Sequence, residues 1–201
     1  MRKIALFGGT FDPPHNGHIH MMLLAKEKYG FDEVYIIPTN KNPFKETKTG
    51  FEKRLEMCRR AFGGFPWCKV LDIEAQREGV SYTIDTVEHL VKNDPHFSES
   101  LRYFLLGQEA AYSLAQWKSA DLLIALVQPV VISGENFDEG LAHGASSSLL
   151  ESLKRGWTRE KPLCLSSTVI RERIAQNLPV EHLVSSSVLS YIVMNRVYRR
   201  R

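Results

Sequence analysis

The sequence has few cysteines, no long apolar run and no low-complexity tract. Its three cysteines, Cys58, Cys68 and Cys164, lack the close paired spacing of a disulfide or zinc framework, which suits a reducing cytoplasm. A transmembrane helix needs about 18 or more consecutive apolar residues, and no such run is present. The amino terminus leads into a strand-like run rather than a signal peptide. We therefore expect a cytoplasmic protein that does not associate with membranes.

Charge of one sign is also scarce. The 201 residues carry a net charge of +3, with 24% charged and 43% hydrophobic residues. A chain of this length and composition can bury a full core, so we expect one domain over residues 1–201. The basic residues at 196–201 form a short terminal group of the kind that is usually solvated. No stripe of alternating basic and aromatic residues exists, and nucleic acid is not an expected partner.

The most informative stretch is residues 8–18, which read Gly-Gly-Thr-Phe-Asp-Pro-Pro-His-Asn-Gly-His between an apolar run and a helical pattern. Glycines at a strand exit let the backbone approach a ligand closely. His15 and His18 fall at the start of the predicted helix, where free N–H groups and the helix dipole favour an anion. Because imidazole donates hydrogen bonds near neutral pH, the stretch predicts a phosphate-binding loop.

The histidine pair also allows a second interpretation, a metal site. Residues i and i+3 lie on one face of a helix, and histidine is a common metal ligand. The sequence has no matched carboxylate or cysteine cluster beside the pair, although the three cysteines could contribute from a distance. We rank phosphate above metal and predict no metal ligands from the protein.

A second motif lies near the other end of the chain. Residues 163–165 form a short apolar run, and Ser-Ser-Thr-Val-Ile-Arg-Glu-Arg follows at 166–173. We interpret this as a strand leading into a helix that Ser and Thr cap. Arg171 falls in the first turn, and its planar guanidinium suits phosphate oxygens. Alone the pattern is typical of a capped helix with a solvated arginine, but with the first loop it predicts further phosphate contacts.

The order of elements predicts the fold class. Apolar or β-branched runs indicate strands at residues 4–7, 34–37, 70–73, 103–106 and 130–132. The clearest helical patterns lie at residues 18–29, 51–62, 83–92 and 167–176. This alternation predicts an α/β fold, a Rossmann-like parallel sheet with helices on both faces. Ligands of such sheets bind beyond the carboxyl ends of the strands, so we expect both motifs to form one site there.

The two motifs carry a family resemblance. The first fits the pattern G-x-F-x-P-x-H-x-G-H and the second resembles S-S/T-x-x-R, the signatures of HxGH-type nucleotidylyltransferases. Within that superfamily the chain is most similar to the bacterial nicotinate-nucleotide adenylyltransferases, in order and over essentially its whole length. The narrower resemblance rests on Ile-Ile-Pro-Thr-Asn at 36–40, Ser-Tyr-Thr at 81–83, Leu-Gly-Gln at 106–108 and Trp117.

This resemblance implies an enzyme of NAD biosynthesis that transfers the adenylyl group of ATP to nicotinate mononucleotide and releases pyrophosphate. It implies that His15, His18 and Arg171 are catalytic. It implies that ATP and its phosphates bind Gly8, Gly9, Thr10, Phe11, Lys45, Ser167 and Thr168. It implies that the nicotinate nucleotide binds Tyr82, Thr83, Gly107, Gln108 and Trp117. Mg²⁺ is expected to arrive on the ATP phosphates because it keeps most of its water, and a homo-oligomer is compatible with the family.

Three positions depart from the family pattern. Phe44 stands where the family commonly has histidine, Glu109 follows the Gly-Gln turn in place of aspartate, and no arginine occurs near Ser133. These departures concern substrate geometry more than reaction class. The first alternative is pantetheine-phosphate adenylyltransferase, which shares both phosphate motifs. A cytidylyltransferase ranks next, followed by a regulatory nucleotide-binding module without catalysis.

Overall fold

The computed structural model describes residues 1–42, 47–77 and 79–198, and Phe44 and Lys45 lie outside these ranges. The described residues form six strands: β1 (Lys3–Gly9), β2 (Glu33–Pro38), β3 (Cys68–Val70), β4 (Leu101–Gly107), β5 (Gln128–Ile132) and β6 (Trp157–Thr158). They also form nine helices: α1 (Asn16–Tyr29), α2 (Phe51–Phe62), α3 (Thr83–Asn93), α4 (Pro95–Ser98), α5 (Gln108–Tyr112), α6 (Ala120–Leu126), α7 (Ser147–Gly156), α8 (Ser167–Ala175) and α9 (Ser186–Met194). Within these ranges, no helix combines the length and apolar character needed to cross a membrane.

The strands form one sheet in the order β3-β2-β1-β4-β5-β6. Every neighbouring pair is parallel. This is the doubly wound order, in which the chain starts at the centre and builds outward to each side. The predicted Rossmann-like fold is therefore confirmed, and its switch in strand order lies between β1 and β4.

Alternate side chains of β1 enter two hydrophobic cores, one on each face of the sheet. Ala5 and Phe7 pack with residues of α1, α2, α8 and α9. Ile4 and Leu6 pack with residues of α3 to α7. Because helices cover both faces, both sets of side chains are apolar, and the strand is a continuous apolar run rather than an alternating one.

Two strand predictions need correction, and the sequence analysis missed one strand. β3 ends at Val70, where the predicted strand began, because its register is set by pairing with residues 34–36 of β2. β6 has only two residues and is defined by its pairing with β5, so it has no pattern of its own. Residues 163–165 are not a strand: Leu163 is 51% exposed, and its N–H donates to His20 Nδ1 (3.2 Å) rather than to a sheet neighbour.

Candidate active site

A cleft of about 1140 Å³ opens at the carboxyl ends of β1 and β4. Small-molecule sites typically occupy roughly 300–1,000 Å³, so this cleft has room for two substrates. It brings together ten predicted site residues: Gly8, Gly9, Thr10, His15, His18, Tyr82, Thr83, Gly107, Gln108 and Trp117. The remaining predicted residues that the structure describes lie outside its lining: Phe11, Ser167, Thr168 and Arg171.

His15 and His18 hold each other at the N-terminus of α1. His15 is the N-cap residue, and its Nδ1 accepts the His18 backbone N–H (3.3 Å). In return His18 Nδ1 accepts the His15 backbone N–H (3.2 Å), and the rings stack with centroids 3.6 Å apart. This is the reciprocal pattern of a capping box, with imidazoles in place of the usual Ser/Thr and Glu. The capping box therefore explains why the two histidines are three residues apart.

Both imidazoles are neutral in this arrangement. Burial lowers the pKa of His15 to about 4, and its backbone hydrogen bond opposes that shift. Burial also lowers the pKa of His18 well below its usual range, and the neighbouring His15 adds to the effect. Because each Nδ1 accepts a backbone N–H, the proton of each neutral ring is on Nε2. Each histidine can therefore donate one Nε2–H hydrogen bond to a ligand in the cleft.

Phe11 supports His18 from within the core. Its φ of 49° lies in the left-handed region, and its ring is 2% exposed. The ring centroid lies 5.0 Å from that of His18 and 5.4 Å from that of Phe7, both edge to face. A Cβ at Gly9 would stand 3.0 Å from the same ring, so this glycine accommodates the close contact. Any contact of Phe11 with a nucleotide would come through its backbone.

The second motif docks on the first loop. Ser167 Oγ donates to the Pro13 carbonyl (2.8 Å), across 154 residues of sequence. Arg171 Nη1 donates to the Asp12 carbonyl (2.7 Å), and its Nη2 donates to Thr168 Oγ1 (3.0 Å). These bonds place the N-terminus of α8 beside the loop that leads to His15. The two motifs thus contact each other beside the cleft, which Ser166 lines, and that they form one site stays a prediction.

The N-terminus of α8 keeps donors for a ligand. Its N-cap residue, Ser166, lines the cleft and makes no side-chain capping bond. First-turn N–H groups of a helix have no intrahelical partner, and together with the helix dipole they favour an anion. Arg171 uses two of the five N–H groups of a guanidinium in the contacts above, so three are not engaged by the residues that the structure describes.

Gly17 lets the segment before α8 pass close over α1. A Cβ at this position would stand 2.6 Å from the Leu163 carbonyl oxygen and 3.1 Å from His15 Nδ1. Residues 162–166 line the cleft. Gly17, which lies between the two histidines, is therefore needed for residues 162–166 to approach α1 this closely.

The opposite end of the cleft is built around the N-terminus of α3. Thr83 is its first residue, and the N-cap Tyr82 makes no side-chain capping bond. Trp117 lies edge-on to Phe104, with ring centroids 5.8 Å apart, and its Nε1–H donates to Ser113 Oγ (3.4 Å). This end combines an aromatic surface with helix N–H groups, which suits a flat anionic ring.

Lys118 lies at the rim of this end as part of an ion pair with Asp85, and the sequence analysis missed it. Its Nζ lies 4.8 Å from the Tyr82 ring centroid. The same ammonium donates to both carboxylate oxygens of Asp85, at 2.8 and 3.1 Å. Lys118 itself lines the cleft.

Gln108 is fixed by residues in the region where the family arginine is absent. Ser133 Oγ donates to Gln108 Oε1 (2.9 Å), and Gln108 Nε2 donates to Glu135 Oε2 (3.1 Å). Both amide atoms of Gln108 are thus engaged at the ends of β4 and β5. The departure at Ser133 is accommodated by a neutral contact that orients this side chain.

Asp12 is a buried carboxylate that the sequence analysis did not assign. It is 3% exposed; its Oδ1 accepts the Tyr198 hydroxyl (2.7 Å) and its Oδ2 accepts the Lys48 N–H (2.9 Å). Burial raises the pKa of the Tyr198 hydroxyl, and the negative charge of Asp12 raises it further. Asp12 therefore ties the first loop to the chain before α2 and to the C-terminal segment.

Arg54 on α2 is a second buried charge that the sequence analysis missed. It is 0% exposed, and within the described residues its guanidinium donates only to backbone carbonyls. A signal was present in the sequence. Arg54 occupies the same helical face as Cys58 and Phe62, four and eight residues on, where a solvated arginine is not expected.

The described residues offer few side chains for a protein-bound metal ion. No group of three or more His, Cys, Asp or Glu side chains in those ranges is arranged to hold a metal ion. Of the carboxylates nearest the first loop, Asp12 has both oxygens engaged by protein donors. The donor set fits a metal ion that arrives with its own phosphate ligands better than a protein cage.

Sequence comparisons identify similar proteins along the whole chain. The model of the cytidylyltransferase-like family matches residues 6–173. A Bacillus pumilus protein named "Probable nicotinate-nucleotide adenylyltransferase" is 35% identical over 200 residues, covering 98% of this chain and 99% of its own. Proteins of the same name are 32% identical in Oceanobacillus iheyensis, over 98% and 97% of the two chains, and 34% identical in Dehalococcoides mccartyi, over 99% and 98%.

Solved structures share the fold. Plasmodium falciparum nicotinic acid mononucleotide adenylyltransferase complexed with NaAD superposes with a TM-score of 0.74, covering 98% of both chains at 18% identity. The same protein complexed with APC gives 0.74 at 16% identity, also over 98% of both chains. At these identities the likeness concerns the fold alone.

Proposed function

The chain belongs to the cytidylyltransferase-like family, and from this premise we propose that it transfers the adenylyl group of ATP to nicotinate mononucleotide. The products are nicotinate adenine dinucleotide and pyrophosphate. Relatives named "Probable nicotinate-nucleotide adenylyltransferase" match nearly the full chain at 32–35% identity. The observation that carries the proposal is the docking of α8 on the β1–α1 loop at one end of a cleft whose other end is the α3 N-terminus.

The chemistry needs no covalent intermediate. A phosphate oxygen of nicotinate mononucleotide attacks the α-phosphorus of ATP, and the bond to the β-phosphate oxygen breaks as pyrophosphate leaves. Catalysis then consists of positioning the two substrates and stabilising charge on the transferred phosphorus. Neutral His15 and His18 are suited to this role because each has an Nε2–H donor held in place by its capped Nδ1.

The remaining phosphate contacts follow from the same end of the cleft. Arg171, with three N–H groups still available, would offset charge on the departing phosphates, and Lys45 stays a prediction because it lies outside the described residues. Ser167 and Thr168 would contribute through the first turn of α8. A divalent metal ion would enter on the ATP phosphates, and we propose Mg²⁺, which keeps most of its own water.

The α3 end would receive the acceptor nucleotide. First-turn N–H groups at Thr83 can bind the nicotinate carboxylate, and Trp117 offers a ring for the pyridine to stack on. Lys118 at the rim is paired with Asp85, so the preference for an acid over an amide rests on the N–H groups at the start of α3. We therefore propose that the acid mononucleotide is preferred. ATP and this mononucleotide are the proposed partners, with neither nucleic acid nor membrane, in the cytoplasm; a homo-oligomer stays a prediction.

Pyrophosphate release with ATP and Mg²⁺ tests the function directly. Nicotinate mononucleotide, nicotinamide mononucleotide and phosphopantetheine serve as parallel acceptors. We expect turnover with the first and a kcat/KM lower by about tenfold or more with the second, since a hydrogen bond to a charged group contributes about 1.5–3 kcal/mol. Turnover with phosphopantetheine instead would retain the phosphate chemistry and reject the α3 assignment. ATP binding without turnover of any acceptor would favour the regulatory module.

A further inference from the structure

Arg54 is the largest fully buried side chain among the described residues. Its guanidinium donates four hydrogen bonds, all to backbone carbonyls. Nε donates to Thr49 (3.1 Å), Nη1 donates to Thr10 (2.8 Å) and Thr39 (2.7 Å), and Nη2 donates to Asn40 (3.1 Å). One side chain thus binds four backbone carbonyls, one in the loop after β1 and three in the chain between β2 and α2.

The two loops meet at the wall of the cleft. Thr10 and Thr39 both line the cleft, and Arg54 Nη1 bridges their carbonyls. The Thr39 N–H donates to the Gly9 carbonyl (2.9 Å), which joins the loops a second time. The loop after β1 continues through Asp12 to His15. The guanidinium therefore joins the loop that leads to the histidine pair to the loop after β2.

The hydrogen bonds around Arg54 continue toward the α3 end of the cleft. The Asn40 N–H donates to Glu74 Oε2 (3.2 Å), and Thr86 Oγ1 on α3 donates to Glu74 Oε1 (2.9 Å). Glu74 is 5% exposed and lines the cleft. Arg54 is thus connected, through Asn40 and Glu74, to the helix whose N-terminus would bind the acceptor.

A buried guanidinium is costly to the fold. Burial lowers the pKa of Arg54, and the negative charge of Asp12 opposes that shift. The four hydrogen bonds of Arg54 offset part of that cost, and an apolar replacement would leave four backbone carbonyls without this donor. The planar fork of arginine holds several acceptors in a fixed geometry, which lysine does not. These properties favour a role in fixing the geometry of the loops.

We propose that Arg54 is a positioning residue that sets the distance between the β1–α1 loop and the loop after β2. Its effect on rate rests on the proposed adenylyl transfer, whereas its effect on the loops rests on the structure alone. A misplacement of about 1 Å can lower a rate by about 10²-fold. Loss of the four-carbonyl contact should therefore lower kcat more than it weakens substrate binding.

The test compares Arg54→Lys and Arg54→Gln with Arg102→Lys in the full chain. Arg102 is a matched control because it also donates to backbone carbonyls, those of Leu126 (2.9 Å) and Ser98 (2.6 Å), and it does not line the cleft. Tm, kcat, KM for each substrate and amide hydrogen exchange are measured for every variant. We expect kcat to fall by about tenfold or more in Arg54→Lys and further in Arg54→Gln, while KM changes by less than about threefold.

Hydrogen exchange separates this proposal from the proposed function. In the Arg54 variants, exchange should accelerate at residues 8–12 and 37–42 and stay unchanged in β4 and β5, whether or not the wild type turns over the tested acceptors. Arg102→Lys should keep the wild-type kcat and the protection of both loops. An unchanged kcat per folded molecule would overturn the proposal, as would equal acceleration of exchange everywhere. Failure of both Arg54 variants to fold while Arg102→Lys folds would also overturn it, since Arg54 would then support the whole fold.

Discussion

Replacing His15 by asparagine should reduce the loss of stability that the fold suffers as the pH falls from 7 to 5. His15 is 6% exposed, and burial lowers its pKa to about 4. In the unfolded chain an imidazole titrates at about 6.5. Below that pH the unfolded state binds a proton that the folded state does not. The stability contributed by neutral His15 is therefore present above pH 6.5 and is lost as the pH falls toward 4.

The size of the effect follows from the two pKa values. Each pH unit between them changes the free energy of unfolding by about 1.4 kcal/mol, so the loss between pH 7 and pH 5 is about 2 kcal/mol. Asparagine is the appropriate replacement because His15 is an N-cap residue. The Asn amide oxygen accepts the same backbone N–H at that position and does not titrate.

Urea denaturation at pH 7, 6 and 5, followed by circular dichroism, measures this difference. The control is His143→Asn, a substitution at an exposed histidine that does not line the cleft. The wild type and the control should lose about 2 kcal/mol more than His15→Asn between pH 7 and pH 5. Parallel pH profiles for the wild type and His15→Asn would refute the inference that the capped ring is held neutral.

Three further predictions test other contacts of the site. His18→Ala should lower kcat by about 10²–10³-fold while weakening ATP binding far less, because the Nε2–H hydrogen bond of His18 strengthens in the transition state. Near-wild-type turnover in a folded variant would remove His18 from the mechanism. Tyr198→Phe should lower the free energy of unfolding in urea by about 1–3 kcal/mol, because Asp12 Oδ1 loses its hydroxyl donor. No change would mean that water replaces the bond. Gly17→Ala should raise the Kd for ATP, measured by calorimetry, because the alanine Cβ would meet the Leu163 carbonyl oxygen at 2.6 Å. This is expected although alanine favours helix more than glycine does. An unchanged Kd would show that residues 162–166 move freely away from α1.

Local signals along the chain were sufficient where neighbouring residues decide the structure. The predicted α1 pattern at 18–29 corresponds to a helix over Asn16–Tyr29, which His15 caps at its start and Gly30, in the left-handed region, ends. The first motif is legible for the same reason: its glycines, its two histidines and the helix end they cap all lie within eleven residues, at 8–18. β1 and β4 were found because strands covered on both faces are continuous apolar runs.

The strand–helix alternation, the fold class and the two motifs with their histidine and arginine residues can thus be predicted from the sequence. The contacts of Ser167 and Arg171 with Pro13 and Asp12, the pairing of a two-residue β6 and the burial of Arg54 under two loops arise from tertiary packing. Helix periods, caps and turns depend on residues within a few positions of each other, which a sequence displays directly. Contacts across 154 or 159 residues depend on how whole elements pack, and no short pattern records which backbone carbonyl a buried side chain will meet.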